Sequence, residues 1–230
     1  MNARYLILAL LLLVVGPALM PHVAHGSEPN RFYAQQMIEL AVAHDENGVT
    51  TMQRMLEQNP RPAPLDAAAA QAALRSGQSA LQADELDAAL NAFQQASRSD
   101  PGNVEAVNYL GLVYRKLDRL PEAEAALLQA LALEPSRAVA WFQLAQIYAL
   151  MNDARRALGA LANTYRFAQN PMRAEEILRN IAENEAADTL RTAALETLRL
   201  YQLPVEAAIV PPLAPNPGIV PINTLPPDPP

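Results

Sequence analysis

The chain has 230 residues, about half of them hydrophobic, with no cysteine, a single lysine at Lys116 and a net charge of −7. So much apolar content supports a folded core and excludes a wholly disordered chain. The missing cysteine excludes disulfides, thiolate metal sites and a thiol nucleophile. The acidic balance excludes a general nucleic-acid surface.

The first elements read as an export signal. Arg4 supplies a positive start, residues 5–15 form an apolar run of eleven, and Gly16-Pro17 breaks it. Ala24 and Gly26 place small residues three and one before Ser27, as a signal peptidase requires. A membrane span wants about 20 apolar residues, so the run serves as an anchor only if the segment through residue 23 is retained. Residues 1–26 are expected to be cleaved and the mature protein to be periplasmic, with an inner-membrane anchor over 5–23 as the alternative. Cleavage removes His22 and His25 and leaves His44, which excludes a histidine-based catalytic or zinc cluster within the chain.

Residues 27–59 predict a helical hairpin. Phe32, Tyr33, Met37, Leu40 and Ala41 are apolar at helical spacing, Met52, Met55 and Leu56 continue the stripe, and Asn47-Gly48 forms the turn. The hairpin is expected to pack on the first repeat or to act as a docking arm. The proline-rich stretch 60–65 follows as a stiff linker.

A 34-residue period then appears. Ala89, Ala123 and Ala157 keep that step. So do Phe93, Leu127 and Leu161, and so do Gly77, Gly111 and Ala145. Each copy reads as two amphipathic helices. In the second, Val107, Leu110, Gly111 and Tyr114 form one stripe, and Ala123, Leu127 and Ala130 form the other. Small residues mark where helices cross, and the bulky site fills the space between pairs. Asp84, Asp118 and Asn152-Asp153 are expected as caps inside the hairpins, with Pro101 and Pro135 between copies.

This pattern resembles the tetratricopeptide repeat, W-x2-L-G-x2-Y-x8-A-x3-F-x2-A-x4-P over 34 residues. The second copy shows Val107, Leu110, Gly111, Tyr114, Ala123, Leu127, Ala130 and Pro135. The third shows Trp141, Leu144, Ala145, Tyr148, Ala157, Leu161 and Thr164. The first shows Gly77, Ala80, Ala89, Phe93, Ala96 and Pro101, with Ala73 and Ser76 at the usual Trp and Leu sites. The resemblance implies an all-α, right-handed solenoid over 66–170, in three pairs at about 70–103, 104–137 and 138–171.

Residues 172–203 keep helical stripes (Ile177, Leu178, Ile181; Leu190, Ala194, Leu198, Tyr201) but place Arg179 and Arg191 at formerly small sites. They read as a capping pair, because a solenoid end needs its apolar face covered. Residues 204–230 hold ten prolines and read as a disordered, partly polyproline II tail.

The resemblance further implies that the first helix of each pair lines a concave face. The side chains expected to meet a partner there are Gln71, Leu74 and Gln78, then Asn108, Leu112 and Arg115, then Phe142 and Gln146. The cap adds Arg173, Glu176 and Asn180. Amides carry donors and acceptors for an extended peptide backbone, and Leu74, Leu112 and Phe142 offer apolar pockets. Some members of the family clamp a terminal carboxylate at sites that here hold Leu74, Gln78, Tyr109, Val139 and Gln143. Their cations are missing, so that activity does not carry over. The expected role is a non-catalytic adaptor or assembly factor for a protein or peptide partner in the cell envelope, with no cofactor, metal or nucleic acid. The alternatives are a self-associating structural solenoid and a regulatory subunit of an envelope enzyme. Catalysis is disfavoured by the missing cysteine, the single mature histidine, the absence of a phosphate-binding glycine loop and the six scattered serines.

Overall fold

The 34-residue period in sequence becomes a period in backbone geometry. Asp84, Asp118 and Asn152, each 34 residues from the next, all adopt left-handed φ near 57–59°. The N–H that follows each reaches back five residues: Glu85 to the Ala80 carbonyl (2.8 Å), Arg119 to Tyr114 (2.9 Å) and Asp153 to Tyr148 (2.8 Å). This is the helix-ending motif in which Asp and Asn stand in for glycine. These side chains therefore close the first helix of each hairpin rather than open the second. The caps that do open helices are Asp45, Asp66, Asn103, Asp153 and Asn170, whose oxygens accept from the N–H three residues on.

A computed structural model describes residues 28–204. The export run and the tail beyond Pro204 lie outside the described residues. Ten helices run in order: α1 (Glu28–Val42), α2 (Glu46–Glu57), α3 (Ala67–Gln82), α4 (Leu86–Ser99), α5 (Val104–Lys116), α6 (Leu120–Leu133), α7 (Ala138–Leu150), α8 (Ala154–Arg166), α9 (Pro171–Asn184) and α10 (Asp188–Leu200). Among the described residues there is no strand, so the architecture is all-α, a solenoid of stacked helix pairs.

The pairs α3/α4, α5/α6 and α7/α8 close on the slim-and-bulky positions. A Cβ at Gly77 would stand 2.6 Å from Phe93 Cε1, and one at Gly111 2.6 Å from Leu127 Cγ. Ala145 and Leu161, the third such couple, are both fully buried. Pairs then stack α4 on α5 and α6 on α7. Trp141 is buried with its Nε1–H donated to the Pro135 carbonyl at 2.8 Å, which ties α7 to the loop before it. Tyr148 donates to Glu124 (3.0 Å), and Arg156 pairs with the same carboxylate (2.7 Å) while lying over the Tyr148 ring.

The N-terminal hairpin does not pack on the first pair. It folds back so that α1 lies on α8 and α6, the second helices of the last two pairs. Its stripe of Ala34, Met37, Ile38 and Ala41 is buried there with Leu161 and Trp141. The reason sits on α8. Gly159 allows backbone approach, and buried Asn163 donates to the Met37 carbonyl at 3.1 Å. Ion pairs Arg155–Glu39 (2.6 Å) and Arg166–Glu46 hold the rim. The linker then runs along helix ends: Arg61 donates to the Leu133 carbonyl (3.2 Å), and the Leu65 and Asp66 N–H groups share the Ser99 carbonyl.

At the other end, α10 supplies the main contact to α8, with α9 a lesser one. A regular fourth repeat would put α9 there. Arg179 and Arg191, at the formerly small sites, pair with Glu175 and Asp188 on their own helices.

Two outcomes test this packing. A Cβ at Gly159 would meet the Ile38 carbonyl oxygen at 2.4 Å, and backbone cannot rotate away. Gly159→Ala should lower stability by about 1–3 kcal/mol in urea unfolding. Burial raises the Asp153 carboxyl, but the Arg156 N–H and guanidinium outweigh it, so its pKa lies below the ordinary 3.8. That stabilisation is present above the ordinary aspartate value and disappears as pH falls through the lowered one. Asn keeps the cap and loses the charge. The stability gap between native protein and Asp153→Asn should therefore close as pH drops from about 5 to about 2, followed by thermal melts.

Candidate binding groove

Helices α3, α5 and α7 are the first members of their pairs. The 3.6-residue period sets Gln71, Leu74 and Gln78 on one stripe of α3. It sets Asn108, Leu112 and Arg115 on one stripe of α5, and Phe142 and Gln146 on one stripe of α7.

On α3, Gln71 is exposed. Gln78 is half-buried and bridges to α5: its Nε2 donates to Glu105 Oε1 at 3.2 Å and reaches the Tyr109 hydroxyl at 3.5 Å. Tyr109 in turn stacks flat on Phe93, with ring centroids 4.8 Å apart. Leu74 is buried in the core beside Phe93 rather than standing open as a pocket wall. Leu112 is likewise withdrawn from solvent.

The amides behave unlike solvated surface groups. Asn108 and Gln146 are each only 5% exposed, and Asn108 Oδ1 and Gln146 Oε1 have no hydrogen-bond partner. Gln143, beside them in sequence, has an unpaired Oε1 as well. Arg115 is half-buried, its Nε enclosed without a partner. Burial, with no opposing cause, pushes the guanidinium below its ordinary pKa. Among the cap residues, Arg173 is spent on Glu176 (2.6 Å), and Asn180 accepts from Asn184.

Phe142 departs from the sequence reading most. It is 2% exposed and belongs to the core of the last two pairs. It also forms one wall of a cavity of about 370 Å³ between α7, the end of α8 and α9. Val139, Tyr165, Phe167, Ile177 and Leu178 complete the apolar lining. Sequence reasoning missed this cavity. The pointer was there: Arg179 and Arg191 at small sites imply a fourth pair that cannot stack, hence a gap beside α9.

His44 is exposed and edge-on to Tyr201. Among the described residues no group of three His, Asp or Glu is arranged to hold a metal ion.

Residues 74–138 match the family model described as tetratricopeptide repeat. No curated protein matches the chain. Among solved structures, one of MamA is 19% identical, aligning 71% of this chain with 91% of that one at a TM-score of 0.48. A second MamA structure aligns 75% with 90% at the same identity and score. A mutant O-GlcNAc transferase from Thermobaculum terrenum is 23% identical over 59% of this chain, with a TM-score of 0.46. The chain spans 27% of that transferase's length.

Proposed function

We propose that the chain, whose residues 74–138 match the tetratricopeptide repeat, is a non-catalytic adaptor that holds an extended segment of a partner protein along α3, α5 and α7. The observation that carries this reading is the pair of buried, unpaired amide acceptors, Asn108 Oδ1 and Gln146 Oε1. A buried acceptor without a donor costs about 1–3 kcal/mol. Two on the same side of neighbouring first helices, once their side chains turn toward the groove, would accept from backbone N–H groups of an extended chain. Residues 66–170 form the binding unit in this reading. Residues 27–59 brace it from behind, 60–65 tie the brace to the repeats, and 172–203 cap the end.

The proposed place of action is the cell envelope. The apolar run 5–15 and the small residues Ala24 and Gly26 support it. Among the described residues no helix is long and apolar enough to cross a membrane. Intact-mass measurement of the exported protein should give Ser27 as its first residue; a start at Met1 in a membrane fraction would instead mark a retained anchor.

The groove is tested by Asn108→Leu combined with Gln146→Leu. Each change removes an acceptor worth about 1 kcal/mol to a bound peptide, so partner affinity should fall about 30-fold by calorimetry. Thermal stability should hold or rise, because the orphaned acceptors are gone. Undiminished affinity would shift the site to another face.

A further inference from the structure

The three groove helices differ in charge from the rest of the chain. Across α3, α5 and α7 stand three cations, Arg75, Arg115 and Lys116, against one carboxylate, Glu105. That carboxylate is already engaged by Gln78, and Lys116 by Asp84. The chain as a whole carries a charge of −7. The groove is thus an island depleted of acid.

Arg115 is the cation in that island that is withdrawn from water. Among the half-buried arginines, Arg137, Arg156, Arg166, Arg173, Arg179 and Arg191 each have a carboxylate within ion-pair distance. Arg115 has none among the described residues, and its Nε is enclosed without a hydrogen-bond partner. Its place in the last turn of α5 gives it the favourable end of the helix dipole. That offsets part of the charge cost but leaves the enclosed Nε donor unmet. Burial holds its pKa below the ordinary value with nothing opposing. A half-buried cation with no internal carboxylate is free to pair with one that a partner supplies.

We propose that Arg115 receives an acidic side chain, Asp or Glu, from the interior of the extended partner segment. This rests on the groove reading above. A side chain rather than a chain terminus is indicated by position. Arg115 belongs to the middle of three pairs, and unpaired Gln146 lies on the next first helix, so a bound chain continues past it. The guanidinium edge pairs a carboxylate in two parallel hydrogen bonds, while Asn108 and Gln146 accept backbone N–H groups on either side.

The test uses the full chain and an array of twelve-residue peptides, acetylated and amidated, randomised except for one central Glu or its Gln counterpart. A second set carries its only carboxylate at a free C-terminus. Peptides with a central Glu should bind, and the matched Gln peptide should lose about 30-fold in fluorescence anisotropy. Arg115→Gln should lose the same factor toward the Glu peptide, and the two changes together should cost no more than either alone. Arg115→Met should melt at or above the native midpoint, since a desolvated unpaired charge has been replaced by an apolar chain. Equal binding of Glu and Gln peptides, preference for the free C-terminus, independent losses in the cycle, or a lowered melt for Arg115→Met would each overturn the proposal while leaving the groove intact. Failure of every peptide would overturn the groove reading itself.

Discussion

The structure depends on one recurring steric couple: a residue with almost no side chain beneath a large one, 34 positions apart from the next such couple. Gly77 under Phe93, Gly111 under Leu127 and Ala145 against Leu161 let each first helix sink onto its partner. A methyl at either glycine would collide with the side chain above it. The backbone repeats in step because the couples do, down to the left-handed Asp84, Asp118 and Asn152 that close each first helix. Everything proposed about binding follows from this, since it decides which stripe of α3, α5 and α7 is left over.

The repeats were legible in sequence because their signal is local and threefold. Spacing alone located the helices, the crossing points and the turns. It also put Arg179 and Arg191 at formerly small sites of the last pair, in which α10 rather than α9 makes the main contact to α8. Long-range placement was not legible. Nothing in the stripe of Met37 and Ile38 says that it meets Gly159 and Asn163, more than a hundred residues on; that match is a property of two surfaces, not of one period. Burial along the groove was also hidden. Leu74, Leu112 and Phe142 lie on the expected stripe, yet the neighbouring helices crowd close enough to take them into the core. The polar members of the stripe are drawn in as well: Asn108 and Gln146 are as buried as these apolar side chains, and Arg115 is half-buried.

Under the proposed function this division gives stability and recognition to different residue types. Alanine, leucine and the aromatic residues carry the stacking energy, through area removed from water. The groove holds polar atoms whose hydrogen-bonding capacity is unmet in the free protein. Such atoms weaken the isolated fold, and the surplus from the stacked core tolerates them. A binding face of this kind gains from a partner that supplies donors and a carboxylate more than from one that merely supplies apolar bulk.

The docking of α1 across α8 and α6 has a mechanical side. Helix-pair arrays flex like springs, because each pair touches only its neighbours. Here a strut fastened by Asn163, Glu39 and Glu46 bridges two pairs from the rear. The spacing between α6 and α8 is therefore braced before any partner arrives, which lowers the share of the ordering cost that the array itself bears on association.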